Sequence, residues 1–411
     1  MRRETQMGDA RACKGNHSAS GMILGCVLIP PLLLTQGCGE TPVPGGFTVD
    51  TLPSGRVEIL NTQDGVWGPG DAWEVEEMFR LGSEDADSPE LFSLIPDLEL
   101  DPFGRLWLIE RQDQEIRIFD QAGAHVRTIG REGEGPGEFK NVAALLWAPG
   151  GELWAVDQRG GRISVFDTTG TFQNSKRLES FFQMMPWPGG IDSEGNFYDL
   201  RSNPDREAPD FIVRFDSLLR PIDTVFVPWH PNGPQRYEHR DGNSATTISI
   251  PFSGRADWHL CPDGGLWVVI TDRYEMIRLA WAGDTVRVSK KEYDPIRVTS
   301  EEIDEALEGY SWFEGEIDRS RIPETKPAIQ RSALDDEGNL WVIPLMEGDQ
   351  EDRTAEVFDS AGIFLGSVQL PMPLNTSQIT IRSNRIVAVT RDSLFVPSVV
   401  GLRIRKPGEG Q

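Results

Sequence analysis

The chain has 411 residues, with 65 acidic and 40 basic side chains and a formal net charge of −25. So acidic a surface repels phosphate backbones and anionic bilayers, which argues against nucleic acid and leaves a lipid anchor as the route to a membrane. Glycine (42) and proline (29) are abundant, as an all-β chain with many turns requires, and three of the four cysteines precede residue 40, which leaves no disulfide framework and no paired-cysteine metal spacing.

Residues 1–21 are polar and carry Arg2, Arg3, Arg11 and Lys14. Residues 22–34, MILGCVLIPPLLL, form a short apolar run that Pro30 and Pro31 interrupt. It is too short for a comfortable membrane span and has the layout of a secretory signal. The run ends in Leu34-Thr-Gln-Gly-Cys38, which resembles a bacterial lipobox, with Thr35 where leucine is usual. Lipidation of Cys38 is the preferred reading, and plain cleavage after Gly37 or an uncleaved anchor are the alternatives. The expected organisation is a signal peptide over 1–37, a tether over 38–54, one large domain over 55–405 and a tail over 406–411.

A small unit then recurs. It is an Asp/Gly turn, an apolar pair that usually contains Trp, and an alternating strand that ends in Phe-Asp. The copies are Asp101-Pro-Phe-Gly-Arg-Leu-Trp107 with IRIFD to Asp120, and Ala148-Pro-Gly-Gly-Glu-Leu-Trp154 with ISVFD to Asp167. They continue as Asp192-Ser-Glu-Gly-Asn-Phe-Tyr198 with IVRFD to Asp216, and Cys261-Pro-Asp-Gly-Gly-Leu-Trp267 with MIRLA to Ala280. The last two are Asp335-Asp-Glu-Gly-Asn-Leu-Trp341 with AEVFD to Asp359, and a degenerate Arg382-Ser-Asn-Arg-Ile-Val387 with VGLRIR to Arg405. Six such units, each of four antiparallel strands, cannot bury their faces singly and must close into a ring, so the expected fold is an all-β six-bladed propeller. The unassigned strand Trp73–Leu81 is expected to complete the last blade and lock the ring, with Arg56–Asn61 as a further edge strand there. Closure removes exposed strand edges.

The stretches GREGEGPGEF (130–139) and LWAVDQRGGRISVFD (153–167) resemble NHL-repeat and TolB-like propellers, most of all the six-bladed propeller proteins of bacterial lipoproteins. The resemblance spans about 55–405 and implies a fold and an envelope location more than an activity, because propellers host many functions.

Two insertions break the spacing. Residues 228–253 read as a long loop before the fourth blade. Residues 299–327 lie between the fourth and fifth, where Thr299-Ser-Glu-Glu302 is a capping box opening a short helix to about Glu308. Long insertions of this kind often cover a binding face or dock a partner.

No nucleotide loop, nucleophile elbow or HExxH occurs, and no catalytic residue is identified. His230, His239 and His259 are the histidines that a zinc site would need, and loop histidines are the plainer reading. Aligning the innermost strands on their turns puts Asp97, Asp257 and Arg331 at one level of the central channel and Glu99 and His259 at the next. Asp97, Glu99, Asp257 and His259 are therefore candidate ligands for a cation. Six-bladed lactonases hold Ca²⁺ at that place, so the resemblance makes Ca²⁺ the possible cofactor. The bland reading is a wet, polar channel lining. A second candidate is a set of arginines, Arg111, Arg159, Arg201, Arg273 and Arg391, each just after the second strand of a blade, with Arg255 and Arg331 beside them. A ring of guanidiniums would receive a small anionic ligand, whereas the acids next to them suggest blade-to-blade salt bridges. The leading expectation is a binding or scaffolding module for a small polar ligand or a protein partner. A metal-dependent lactonase-type hydrolase or NHL-type lyase is the alternative.

Overall fold

The computed structural model describes residues 46–82, 88–177, 189–201, 203, 211–226, 235–242, 244–347, 353–374, 378–391 and 396–408. The proposed signal, Cys38 and His230 lie outside these. Residues 40–411 form one compact unit.

The fold is a six-bladed propeller of four-stranded antiparallel blades with, among the described residues, one short α-helix. Blade 1 runs outward through β4 (Leu98–Leu100), β5 (Leu106–Glu110), β6 (Glu115–Phe119) and β7 (His125–Ile129). Blade 2 is β8 (Val142–Trp147), β9 (Leu153–Asp157), β10 (Arg162–Phe166) and β11 (Phe172–Arg177). Blade 3 is β12 (Gly190–Ile191), β13 (Phe197–Arg201), β14 (Phe211–Phe215) and β15 (Pro221–Phe226). Blade 4 is β18 (Ala256–Leu260), β19 (Leu266–Ile270), β20 (Glu275–Leu279) and β21 (Thr285–Lys291). Blade 5 is β22 (Ile329–Leu334), β23 (Leu340–Pro344), β24 (Thr354–Phe358) and β25 (Phe364–Gln369). Blade 6 is β26 (Ile379–Arg382), β27 (Arg385–Arg391), β28 (Pro397–Arg405) and, from the other end of the chain, β3 (Glu74–Leu81), antiparallel to β28.

The repeated turn has a specific chemistry. Asp101 Oδ1 accepts the backbone N–H groups of Phe103 (2.8 Å) and Arg105 (2.9 Å), while Oδ2 accepts Trp107 Nε1 (3.1 Å). Asp335 treats Trp341 Nε1 in the same way (3.0 Å), and Asp192 accepts the Tyr198 hydroxyl (2.7 Å). The six-residue spacing from aspartate to aromatic is thus a hydrogen bond that lets a large ring with a polar tip be buried. The glycine of each of the first five turns, such as Gly104 at φ +74°, supplies the left-handed residue that the turn needs, and Ser383 and Asn384 take positive φ in the sixth. The buried apolar side chains then fall into six clusters, one between each pair of adjacent blades.

Two expectations are corrected here. The segment Val57–Asn61 (β2) extends blade 4, not the last blade: it pairs in parallel with β21. The expected tether holds a strand, β1 (Phe47–Thr51), antiparallel to β2. From there the chain runs along the outside of blade 5, where Val66 N donates to Phe364 O (3.2 Å) and Trp67 N to Leu365 O (2.8 Å), and reaches blade 6 as β3. Residues 47–81 are a belt over three blades. Its clasp is Asn61, fully buried, whose Nδ2 donates to Ser289 Oγ (3.0 Å), Lys290 O (3.0 Å) and Gly362 O (3.1 Å), and whose Oδ1 accepts Phe364 N (2.9 Å).

The first insertion is not wholly loop either. It contains the hairpin β16 (Arg236–Asp241) and β17 (Ser244–Ser249). The second carries α1 (Ser300–Glu308), whose N-terminus shows the capping box of Thr299 and Glu302. The two share a small core of Tyr237, Ile248, Ile250, Phe313 and Ile322 and so form one cap.

Candidate functional site: the central channel

The innermost strands enclose a cavity of about 640 Å³. Asp97, Glu99, Asp257, His259 and Arg331 line it together, as the turn alignment requires, and Trp147, Trp258 and Arg382 complete its polar and aromatic lining. On the Asp/Gly-turn face it opens past Trp147 and Arg382 into a wider vestibule of about 940 Å³ that Phe103, Asp167, Asp192 and Asp336 border.

Each charged group reaches a neighbour, most of them on the next blade. Asp97 Oδ2 accepts Leu145 N of blade 2 (2.8 Å) and Oδ1 accepts Leu98 N (2.9 Å). Glu99 Oε2 accepts the Thr380 hydroxyl of blade 6 (3.2 Å). His259 Nε2 is 2.8 Å from Ser332 Oγ of blade 5. Asp257 holds Arg255 through both oxygens (2.8 and 3.0 Å), and Arg255 also donates to Gln330 O of blade 5. Arg382 Nη1 reaches Leu100 O (3.4 Å) and its Nε lies 3.9 Å from Asp336. The lining thus stitches neighbouring inner strands.

The four candidate metal ligands take separate partners. Among the described residues no three His, Cys, Asp or Glu side chains are grouped so as to hold a metal ion. The physical reason is that Asp97 turns to backbone amides, Asp257 to Arg255, His259 to Ser332 and Glu99 to Thr380, so their lone pairs do not converge. His239 sits on the cap beside Phe313 and Glu314, so it joins no site with His259. Residues at one level of a channel share a height, not a focus.

The arginine set is also dispersed. Arg331 lines the channel, and Arg255 reaches it through Asp257. None of Arg111, Arg159, Arg201, Arg273 and Arg391 lines the cavity. Arg111 Nε donates to Asn141 Oδ1 on the next blade (3.0 Å), and Arg201 pairs with Asp199 on its own strand (2.7 Å). Two of the neighbouring acids accept backbone amides, and Asp157 also lies 3.6 Å from Arg162 Nε of its own blade. Glu110 accepts Ser93 N (2.8 Å), and Asp157 accepts Lys140 N (3.1 Å) and Asn141 N (2.9 Å). They fasten the loops that lead into the inner strands.

Thr380 and Arg382 escaped the sequence reading, although the alignment that placed Glu99 also places Thr380 at its level. The signal for Arg382 is that it fills the aspartate position of the sixth turn.

Burial deep in the ring decides the ionisation here. It pushes the Asp97 carboxyl up to about 7, against the amides of Leu145 and Leu98. It pushes Glu99 up to about 8, helped by the charge of Asp97 and opposed by Arg382 and Thr380. It lowers His259 to about 4, with Asp257 opposing. The signs give a testable pH dependence. From about pH 4 upward, the unfolded carboxyls lose protons that the folded ones keep, so their contribution to stability falls as pH rises to about 8. His259 acts oppositely between about 4 and 6.5, where the unfolded ring binds the proton that the folded one refuses. Above about 6.5 only the carboxyl slope remains. The Asp97→Asn, Glu99→Gln double variant is expected to show a flatter fall in unfolding free energy between pH 6.5 and 8 than the parent in urea titrations. Parallel curves would refute the assignment.

A family model described as a 6-bladed beta-propeller matches residues 92–231. Among solved structures, a Bacteroides fragilis protein assigned to export is 13% identical with a TM-score of 0.47, over 85% of this chain and 100% of that one. Virginiamycin B lyase from Staphylococcus aureus is 11% identical with a TM-score of 0.42, over 81% and 99%. A gluconolactonase from Xanthomonas campestris is 13% identical with a TM-score of 0.38, over 77% and 87%. Among the described residues no helix is long and apolar enough to cross a membrane. No curated protein matches the sequence. The matched family and the observed sheet order agree on the architecture: the chain is a six-bladed β-propeller.

Proposed function

We propose that this chain is a binding propeller that takes a small polar ligand in its central channel, held at a bacterial cell envelope by a lipid on Cys38. The observation that carries this reading is the cavity of about 640 Å³ on the ring axis, lined by charged side chains of blades 1, 4, 5 and 6. That volume suits a small organic molecule, and a pocket that combines apolar walls with a few polar side chains is a usual setting for one. The envelope location rests on the apolar run before Cys38, and affinity with NHL-repeat and TolB-like propellers rests on GREGEGPGEF and LWAVDQRGGRISVFD. Catalysis by a metal-dependent hydrolase or lyase is the weaker reading, because the channel carboxylates and His259 are not grouped for a metal.

The test is a thermal-shift screen of polar metabolites against the purified protein and an Ala256→Trp variant, which adds an indole to the channel wall. Hits that stabilise the parent and not the variant are expected. Hits that stabilise both equally would place binding elsewhere. A protein partner is the second reading, favoured by the cap, where Trp312 stays 60% exposed.

A further inference from the structure

The channel lining is unevenly distributed around the ring. Blades 2 and 3 contribute Leu146, Trp147, Gly190 and Ile191, an apolar flank. Gly190 keeps that flank low, since a Cβ there would stand 2.7 Å from Leu260 Cδ2. Blade 1 contributes two carboxylates, Asp97 and Glu99. Across the ring, Asp257 is doubly bonded by Arg255, and His259 is engaged with Ser332. Asp97 and Glu99 differ from these. Among the described residues neither forms an ion pair, and the hydrogen bonds they accept come from neutral groups, the amides of Leu98 and Leu145 and the hydroxyl of Thr380. A cavity that pairs an apolar flank with two acids lacking a salt-bridged cation is complementary to an amphipathic cation.

We propose that the channel ligand is an organic amine, its ammonium seated against Glu99 and Asp97 and its apolar body on Leu146, Trp147 and Ile191. The inference rests on the channel being the binding site. An ammonium brings N–H donors and a positive charge to a wall whose nearby cation, Arg382, donates to Leu100 O rather than to either carboxylate. It takes the place of protons that the buried carboxyls otherwise hold near neutral pH, so binding releases protons and strengthens as pH rises, until the amine itself deprotonates. The other charged groups facing the site are Arg331, Arg382 with Asp336, and the Arg255–Asp257 pair. His259 stays neutral through this range.

Three isosteric probes separate the possibilities by calorimetric titration of the purified protein: phenethylamine, phenethyl alcohol and phenylacetate. The amine is expected to bind at least tenfold more tightly than either of the others, with a heat that varies with the buffer's ionisation enthalpy. Glu99→Gln and Asp97→Asn, which keep the shape of each side chain, are each expected to weaken the amine at least tenfold and to leave the alcohol unchanged. An amine that binds no better than the alcohol, or that is indifferent to both substitutions, overturns the proposal. If the alcohol or phenylacetate binds without any preference for the amine, and Ala256→Trp abolishes that binding, the amine inference fails and the channel reading stands. If no probe responds to Ala256→Trp, both fail.

Discussion

Glu356→Ala is expected to lower the unfolding free energy by about 3–5 kcal/mol, the typical cost of removing one partner from a buried ion pair. Glu356 lies between blades 4 and 5, where Oε1 is 3.2 Å from Lys291 Nζ and Oε2 accepts the Tyr274 hydroxyl. Lys291 and Glu356 are buried, and the ammonium lies over the rings of Tyr274 (5.0 Å) and Phe364 (4.9 Å). Burial first, and then the carboxylate's charge, holds the Tyr274 phenol well above its ordinary range, so it donates rather than ionises. Tyr274 also sits at φ +48°, a conformation that a tyrosine adopts only where its surroundings enforce it. Removing the carboxylate strands a buried ammonium and a buried hydroxyl together. The double variant Glu356→Leu, Lys291→Met is expected to recover at least half of the loss, because the uncompensated charge is gone. Urea titration of the three proteins gives the comparison. A single variant within about 1 kcal/mol of the parent, far below the usual cost of a stranded charge, would show that water reaches the ammonium from the adjoining pocket.

Asn61→Ala is expected to cost about 3 kcal/mol, since each buried donor or acceptor left without a partner costs ~1–3 kcal/mol. The substitution strips Phe364 N of its acceptor and frees two carbonyls from Nδ2, although Ser289 Oγ still donates to Gly362 O. Asn61→Asp is the informative control. It can still accept from Phe364 N but presents a carboxylate to the carbonyls of Lys290 and Gly362, so it is expected to be at least as damaging near neutral pH. The readout is the urea midpoint at unchanged slope. If the Asn61→Asp protein unfolded at the parent's midpoint, the donor half of the clasp would carry no weight.

The blades were legible because their signal is local. The aspartate of a turn, its glycine and an aromatic six residues after the aspartate meet within one hairpin, so a sequence window contains the whole interaction. The second and fourth copies carry Ala148 and Cys261 in place of the aspartate but keep glycine and tryptophan, and the sixth loses all three, yet its strands still alternate, and its missing fourth strand pointed to β3. The belt was misplaced for the opposite reason. Val57–Asn61 has no repeat of its own, its parallel partner β21 lies more than two hundred residues away, and Asn61 bonds mainly to backbone carbonyls that any residue could present. Along the axis, alignment gave the height of Asp97, Glu99, Asp257, His259 and Arg331 correctly. It could not give the direction of each side chain, because that is set by the neighbouring blade: the amide of Leu145 for Asp97, the hydroxyl of Ser332 for His259. Adjacency in sequence also leaves the partner open: Glu110 and Asp157 answer to backbone amides of the preceding loop.

The belt also orders events in time. Asn61 and Phe364 are 303 residues apart, and Glu76 and Arg405 are 329 apart. Strands β2 and β3 are therefore made early and satisfied late: β1 and β2 pair with each other, but until blades 4 and 6 exist the other edge of β2 and the backbone of β3 have nothing to meet. The four core strands of blades 1 to 5 are each contiguous in sequence, but blade 6 waits for both ends of the chain, and contacts of such long sequence separation make folding slow. Closure of the ring is thus the late step, when the first strands made find the last blade.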